Sequence, residues 1–217
     1  MRALRTRVGI ATAVCLFAFV STAAALTIVG TSGDDHIIGS RGSDRIAARA
    51  GNDTVKALAG DDKVNAGPGD DRVNAGFGND RVKGEDGNDT VFGFYGQDRI
   101  VGGAGDDTLN GGPGNDRIAG YMGVDTEYGG GGNDQLWGRA KGDVPLPGVD
   151  SLDGGPGDDT IHARDGEPDL ITCGDGNDRA QLDNVDVITD ATPENPNGSC
   201  EKVMRADPTG TPTDHAG

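Results

Sequence analysis

The sequence predicts an all-β solenoid in which short strands and turns alternate and successive copies stack on one another. Two observations predict this fold: a nine-residue repeat that runs without a gap from Thr31 to Gly138, and a content of 39 glycines among 217 residues. The chain has only five Phe, three Tyr and one Trp, so we do not expect one large conventional core. Since a single nine-residue copy buries too little apolar surface to fold alone, stability must come from stacking.

The first 25 residues predict a targeting segment rather than part of the fold. Three arginines among the first seven residues are followed by an apolar run over 8–20, which is short for a bilayer span. Small residues end the segment, so we expect export, cleavage after Ala25 and a secreted product. An uncleaved N-terminal anchor is the alternative. Cleavage removes three positive charges and changes the formal net charge from −17 to −20.

The acidic balance restricts the choice of partners. With 36 acidic and 19 basic side chains, the chain lacks the basic surface that nucleic acid binding requires. The same excess of carboxylates suits cations. We therefore expect no nucleic acid partner and predict that cations are bound.

Each column of the repeat has a physical role, counting nine columns from Thr31. The third column is Gly and the fifth is Asp in 12 of 12 copies, and the seventh is Ile, Val or Leu in 11 of them, with Glu127 as the exception. The glycine predicts a turn with a positive φ. The aliphatic residue between polar neighbours predicts a strand of three or four residues with one buried face.

The repeat also predicts the organisation of the chain after the targeting segment. We expect a first repeat block over 26–138, an insertion loop over 139–145, and a second block with a C-terminal cap over 146–192. The second block contains a stretched copy over 164–173, and the remaining 193–217 form a proline-rich tail whose end we expect to be disordered. The break, together with Glu127, leaves open whether the roll is divided in two.

The aspartate column requires positive charge. Stacked copies would bring these carboxylates to about the 4.8 Å spacing of neighbouring strands. The sixth column is basic in only 6 of 12 copies, so side chains do not neutralise them. Carboxylates together with turn carbonyls favour Ca²⁺ over Mg²⁺, which demands strict octahedral geometry, and zinc would require Cys or His ligands. The small core and the repulsion together predict a chain that is largely unfolded without calcium.

The predicted metal ligands are the fifth-column carboxylates and the carbonyls of the turns. The carboxylates are those of Asp35, Asp44, Asp53, Asp62, Asp71, Asp80, Asp89, Asp98, Asp107, Asp116, Asp125, Asp134, Asp150, Asp159 and Asp178. The carbonyls lie near Gly51, Gly60, Gly69, Gly78, Gly87, Gly96, Gly105, Gly114, Gly132 and Gly157.

Two cysteines, Cys173 and Cys200, remain after the expected cleavage. Because an even number of cysteines in an exported chain commonly form disulfides, these two residues predict a disulfide bond. Two free thiols are the alternative.

The sequence contains no catalytic signature that we can identify. It has neither HExxH nor the G-x-S-x-G elbow, and the periodicity of its aspartates indicates ligands rather than acid–base pairs, so we predict that it is not an enzyme. The alternative function is an adhesion or carbohydrate-binding module that recognises a cell-wall glycan or a protein through exposed aromatic residues. Candidates are Phe92, Phe94, Tyr95, Tyr121, Tyr128 and Trp137.

The repeat resembles the nonapeptide G-G-x-G-x-D-x-U-x of the repeats-in-toxin (RTX) family. The fullest matches start at Gly102-Gly103-Ala104-Gly105-Asp106-Asp107 and at Gly111, Gly129 and Gly154, and the resemblance extends from residue 31 to about 182. It implies a right-handed parallel β-roll with two copies per turn, in which copies i and i+2 stack around shared calcium ions. Asp53 would then meet Asp71, and Asp62 would meet Asp80.

With its N-terminal targeting segment, the chain is similar to the small secreted RTX-like proteins of high-GC Gram-positive bacteria. This resemblance implies a calcium-binding protein that folds on metal binding and has no catalytic activity. We expect it to be a monomer.

Overall fold

The structure, a computed structural model, describes residues 15–16, 24–138, 149–192, 195 and 198–206 and consists of two parallel sheets. The strands of the first sheet are β1 Cys15–Leu16, β3 His36–Ile38, β5 Thr54–Ala59, β7 Arg72–Phe77, β9 Thr90–Tyr95, β11 Thr108–Pro113, β13 Thr126–Gly131, β15 Ser151–Pro156, β17 Leu170–Asp175 and β19 Val187–Ile188. The strands of the second sheet are β2 Thr27–Val29, β4 Arg45–Ala47, β6 Lys63–Asn65, β8 Arg81–Asp86, β10 Arg99–Ala104, β12 Arg117–Met122, β14 Gln135–Trp137, β16 Thr160–Ala163, β18 Arg179–Leu182 and β20 Lys202–Arg205.

Consecutive strands belong to different sheets, and each strand pairs in parallel with the strand two positions further along the chain. Val55 lies opposite Val73 in the first sheet, and Val64 lies opposite Val82 in the second. Copies i and i+2 therefore stack, with two copies to each turn of the solenoid. The expected parallel β-roll is confirmed.

The strands in the middle of the roll are longer than the sequence analysis predicted. The prediction of three or four residues holds for strands such as β6, but β5 and β7 each contain six. In these strands pairing continues beyond the buried residue into the following bend, where Leu58 lies opposite Gly76. The prediction was therefore wrong for these strands.

Two columns of the repeat adopt positive φ. Most third-column glycines do so as predicted, with Gly78 at 128°, and most first-column residues do so as well, with Gly76 at 114°. Non-glycine residues occupy the first column with φ between 74° and 91° at Arg49, Leu58, Glu85, Phe94 and Tyr121. The sequence analysis missed this second bend because the residue type varies in the first column.

The core consists mainly of seventh-column side chains arranged in two facing stacks, and its first cluster also contains the buried ninth-column alanines Ala48, Ala57, Ala66 and Ala75. Val73 and Val91 of the first sheet and Ile100 and Ile118 of the second are fully or almost fully buried. The apolar side chains form two clusters, one ending at Leu109 and Ile118 and the other beginning at Leu136. Glu127, which has no exposed surface, lies between them.

The sheets nevertheless continue from one cluster to the next. Thr126 lies opposite Ser151, and Gln135 lies opposite Thr160. The predicted insertion loop over 139–145 lies outside the described residues.

At the C-terminal end, a disulfide joins Cys173 to Cys200, as predicted. Within the segment predicted as a proline-rich tail, Lys202–Arg205 forms β20 and pairs with β18, while 207–217 lie outside the described residues.

Of the predicted targeting segment, only 15–16 and 24–25 are described, and β1 pairs with β3. None of the described residues forms a helix that is long and apolar enough to cross a membrane.

Candidate metal-binding turns

The fifth-column aspartates line up along the turns that precede the strands. Each is at most 6% exposed, and from Asp53 and Asp62 onward its Oδ1 accepts a hydrogen bond from the main-chain N–H of the aspartate two copies earlier. Asp53 N–H donates to Asp71 Oδ1 at 2.7 Å, and Asp62 N–H donates to Asp80 Oδ1 at 2.8 Å. The pairings implied by the family resemblance are confirmed, and the buried carboxylates form two ladders.

The first ladder consists of Asp35, Asp53, Asp71, Asp89, Asp107, Asp125, Asp150, Asp169 and Asp186. The second consists of Asp44, Asp62, Asp80, Asp98, Asp116, Asp134, Asp159, Asp178 and Glu201. The sequence analysis did not name Asp169, Asp186 or Glu201. The extra residue in the stretched copy moves Asp169 out of the fifth column, and Asp186 and Glu201 lie beyond the last recognisable copy.

The second carboxylate oxygen of most ladder aspartates is buried and has no hydrogen-bond partner. This is true of Oδ2 in Asp53, Asp62, Asp71, Asp80, Asp89, Asp98, Asp107, Asp116, Asp125, Asp134, Asp159, Asp169 and Asp178. A buried polar atom without a partner is costly, and a buried charge without a counter-charge is more so. The turns therefore present oxygens that lack a positively charged partner.

The first turn of the roll differs from the others. Oδ2 of Asp35 accepts the N–H of Thr31 at 2.5 Å, and Oδ2 of Asp44 accepts the N–H of Ser40 at 2.6 Å. Both carboxylates were predicted ligands, but here their second oxygens already have partners inside the protein. The unpartnered oxygens begin with Asp53.

Where the ninth column is glycine, the unpartnered oxygen lies beside that glycine. A Cβ added to Gly129 would lie 2.6 Å from Asp134 Oδ2 and 2.5 Å from the carbonyl oxygen of Gly154, so a carboxylate and a main-chain carbonyl converge beside this glycine. The same two kinds of oxygen meet at Gly84, Gly93, Gly102, Gly111 and Gly154. The sequence analysis named the third-column carbonyls and missed these ninth-column ones.

Burial raises the pKa values of the ladder aspartates from Asp53 and Asp62 onward, and repulsion by neighbouring carboxylates adds to the rise at most of them. Burial is the largest cause of the rise of the Asp107 pKa to about 8; the charges of Asp125 and Asp89 add to it, and the hydrogen bond from the Asp89 N–H opposes it. Burial likewise raises the pKa of Glu127 well above its usual value. Without a cation, burial therefore disfavours the charged forms of Asp107 and Glu127 at neutral pH.

The set of available ligands indicates which metal would fit. Among the described residues, no three side chains of His, Cys, Asp or Glu converge on a possible metal position. An ion in these turns must therefore combine carboxylates with main-chain carbonyls. Oxygen ligands of this kind suit Ca²⁺, which accepts six to eight of them in flexible geometry.

Comparison with known proteins identifies the repeat. A family model described as the RTX calcium-binding nonapeptide repeat (4 copies) matches residues 27–55, 48–82, 56–91, 92–127, 128–144 and 146–180, which together make up more than two thirds of the chain. A search of the curated proteins finds no match.

Proposed function

Because this chain belongs to the family of RTX calcium-binding nonapeptide repeat proteins, we propose that it is a secreted, non-catalytic protein whose folding is coupled to the binding of several Ca²⁺ ions. The observation that carries this proposal is the series of buried Asp Oδ2 atoms without partners, each facing a turn. Calcium bound between two turns would supply the missing positive charge. The carboxylates of the ladders and the carbonyls of the turns would hold the ions.

Coupling between binding and folding follows from the small core. Every copy of the first block except that of Glu127 contributes one aliphatic seventh-column side chain, while ladder aspartates such as Asp107 are buried near the carboxylates of their neighbours. Metal that binds the folded state and not the unfolded chain contributes its binding free energy to folding. Calcium would therefore provide the stability that the apolar clusters lack.

The burial of the aspartates supports the absence of catalysis. Asp98 and Asp116 are 1–2% exposed, and Oδ1 of Asp116 is engaged by the N–H of Asp98. A general acid or base must reach its substrate within hydrogen-bond distance. A carboxylate closed off inside a turn is suited to hold an ion.

The start of the second ladder supports processing after Ala25. Leu26 N–H donates to Asp44 Oδ1 at 2.7 Å, in the position that an aspartate N–H occupies in later copies. Cleavage at this bond would turn the Leu26 nitrogen into an ammonium group beside the Asp44 carboxylate. We propose that the mature protein begins at Leu26 and loses β1.

Calcium titration of the secreted protein and of two adjacent variants tests the function. Asp107→Asn removes a buried ladder carboxylate, whereas Asp106→Asn makes the same chemical change at an exposed position of the same turn. Asn also occurs naturally in that fourth column, as at Asn88, where its Oδ1 accepts the equivalent hydrogen bond from the Asp106 N–H. We expect calorimetry to show several ions on the wild type, at least one fewer on Asp107→Asn, and an unchanged number on Asp106→Asn.

The same preparation tests export, because the intact mass of the secreted product should correspond to a chain that starts at Leu26. No calcium uptake by the wild type at millimolar concentration, or an equal loss of ions in both variants, would contradict the proposed function.

A cluster of exposed aromatic side chains favours a second candidate, glycan binding on the calcium-loaded roll. The rings of Phe77 and Tyr95 stack with centroids 5.0 Å apart and 3° between their planes, and these residues are 60% and 52% exposed. A groove of about 300 Å³ is lined in part by Lys56, Arg72, Phe92 and Phe94, the last of which directly precedes Tyr95 in the chain. Exposed rings next to polar side chains can stack on a sugar ring while the polar groups bind its hydroxyls.

The aromatic residues named from the sequence do not form one face. Phe92 and Tyr128 belong to strands of the first sheet, whereas Trp137 belongs to the second sheet and stacks on His162 with ring centroids 5.3 Å apart. The candidate surface is therefore limited to the cluster around Tyr95.

A glycan array with the calcium-loaded protein tests this second candidate. Tyr95→Ala should abolish a glycan signal that the wild type shows, while Tyr128→Ala, at a 40% exposed tyrosine outside the cluster, should retain it. Absence of a wild-type signal with cell-wall glycans, or retention of the signal by Tyr95→Ala, would exclude this candidate.

A further inference from the structure

A row of basic side chains crosses the second sheet. The sixth-column residues of five successive strands pair in register, Arg45 with Lys63, Lys63 with Arg81, Arg81 with Arg99 and Arg99 with Arg117. All five side chains are exposed, and neighbouring strands lie about 4.8 Å apart. These five residues, the basic row, place a line of positive charges along the axis of the roll.

The first sheet has no corresponding row. Its sixth column from Thr54 to Thr126 contains four threonines and the single arginine Arg72. Exposed carboxylates, those of Asp70 and Asp106, lie in the fourth column of the same copies. The chain is acidic as a whole, and the second sheet is where it offers a continuous positive surface.

Part of the basic row borders a groove. Arg81, Arg99 and Arg117 line a groove of about 560 Å³, and every residue that lines it is polar or charged. The buried ladder aspartates of the same copies also line it, and they are at most 2% exposed. Its remaining wall includes the exposed fourth-column amides of Asn79, Gln97, Asn115 and Asn133.

The asparagines of this wall present hydrogen-bond donors. Oδ1 of Asn79 accepts the N–H of Gln97 at 2.8 Å, and Oδ1 of Asn115 accepts the N–H of Asn133 at 2.9 Å. Oδ1 of Asn133 accepts the N–H of Asp158 at 3.1 Å. Since the oxygen of each amide is engaged by the turn above it, its Nδ2 group is the part that remains to bind a ligand.

The arginines of the groove are donors as well. Among the described residues, no carboxylate lies within salt-bridge distance of Arg81, Arg99 or Arg117. Nε of Arg117 donates to Oε1 of Gln135 at 3.3 Å, which leaves its terminal nitrogens available. The groove therefore combines positive charge with an excess of donors, and it matches a negatively charged ligand that is rich in acceptors.

Three features of the groove indicate the class of ligand. Guanidinium groups bind carboxylate or phosphate oxygens in pairs, and their repetition along the roll fits a polymer. A phosphodiester group has only acceptors at neutral pH, whereas each sugar hydroxyl also donates and needs an acceptor in return. No aromatic side chain lines the groove, so it offers nothing on which a nucleobase would stack.

We propose that the basic row and its groove bind a linear phosphodiester polymer without bases, a chain of polyol phosphates, laid along the axis of the roll. The guanidinium groups and the Nδ2 groups hold its phosphates. Exposed Asp61 and Asp158 lie in the fourth column on either side of the amides, so the tightest contacts fall between them. This surface is separate from the stacked pair Phe77 and Tyr95, whose strands belong to the first sheet.

Binding of a synthetic poly(glycerol phosphate) to the full mature chain at saturating calcium tests the proposal. We expect binding that weakens as NaCl is added, with a slope of about −0.7 in log K against log salt for each phosphate contact, as on single-stranded nucleic acids. Arg99→Gln removes the central guanidinium of the groove. It should weaken binding about tenfold or more and make the slope shallower by about 0.7.

Arg179→Gln is the matched control. Arg179 is also an exposed sixth-column arginine of the second sheet, but Gln135 and Thr160 separate it from Arg117. This variant should bind the polymer as the wild type does. Neither arginine belongs to a carboxylate ladder, so both variants should take up the same number of calcium ions as the wild type.

Several results would overturn the proposal. They are no binding of the polymer by the wild type, binding that is insensitive to salt, and equal losses in Arg99→Gln and Arg179→Gln. Tighter binding of hyaluronan, a carboxylated polysaccharide, or of oligothymidylate would overturn the choice of a phosphodiester polymer without bases. Calcium uptake is measured separately on the same protein, so each of these results leaves the proposed function standing, whereas polymer binding without calcium uptake would contradict the proposed function alone.

Discussion

Removal of calcium is expected to unfold this protein almost completely. In excess chelator the far-ultraviolet circular dichroism of the mature chain should lose its strand signal, and millimolar CaCl₂ should restore it. The physical reason lies in the two carboxylate ladders. Most of their Oδ2 atoms are buried and have no hydrogen-bond partner. At Asp107, for example, no nearby charge lowers the pKa of the carboxyl group. Most copies add only one bulky aliphatic side chain to the core, so we expect apolar burial to be too small to offset this cost.

The same experiment yields the number of ions that are linked to folding. Each ion bound only by the folded state adds about 1.4 kcal/mol to the free energy of unfolding for each tenfold rise in free calcium. Equal concentrations of MgCl₂ should restore little structure, because Mg²⁺ requires regular octahedral geometry. High NaCl serves as the control for simple screening of charge. Identical strand-rich spectra with and without chelator would disprove the coupling of folding to calcium.

A single methyl group added at Gly132 is expected to destabilise the calcium-loaded roll strongly. Gly132 has φ of +123°, and an added Cβ would overlap the carbonyl oxygen of Gly114 in the copy below. The backbone conformation alone costs of order 1–3 kcal/mol for a residue other than glycine. Together with the overlap, we expect Gly132→Ala to lower the free energy of unfolding by about 3 kcal/mol or more.

The neighbouring glycine is a matched control for this change. A Cβ added to Gly131 would meet no atom within 4 Å, and its φ lies outside the left-handed region. Gly131→Ala should therefore change the free energy of unfolding by no more than about 0.5 kcal/mol. Denaturant unfolding of both variants at one fixed, saturating calcium concentration measures the difference. Similar losses in the two variants would show that the third-column turn tolerates side chains.

The regular copies were the most predictable part of the molecule. A glycine, an aspartate and an aliphatic residue at fixed spacing predict a turn, a ligand and a buried strand residue, and identical copies can stack in few ways. The pairing of Asp53 with Asp71 followed once two copies were assigned to each turn. The roles of the aspartates as calcium ligands remain predictions.

Irregular copies were less predictable, because periodicity is the only signal that a sequence of this kind provides. One additional residue in the copy over 164–173 removed Asp169 from its column, yet the structure places it in the ladder, where Asp150 N–H donates to its Oδ1 at 3.1 Å. The first-column bend was hidden in the same way, since Leu58 and Phe94 adopt positive φ there without being glycine. In the stacked structure a copy with an extra residue or a different first-column residue still aligns with its neighbours. An alignment of the copies by residue type does not show this.

The sequence by itself determined the repeat unit and predicted the kind of ion it would hold, because both depend on chemistry repeated within nine residues, while the parallel stacking followed from the resemblance to the RTX family. Only the tertiary structure decided that Glu127 points into the core and accepts a hydrogen bond from Gly120, that Asp35 and Asp44 already satisfy their second oxygens, and that the sheets continue beyond Glu127. These facts depend on contacts between copies, and such contacts exist only once the chain has been wound into turns.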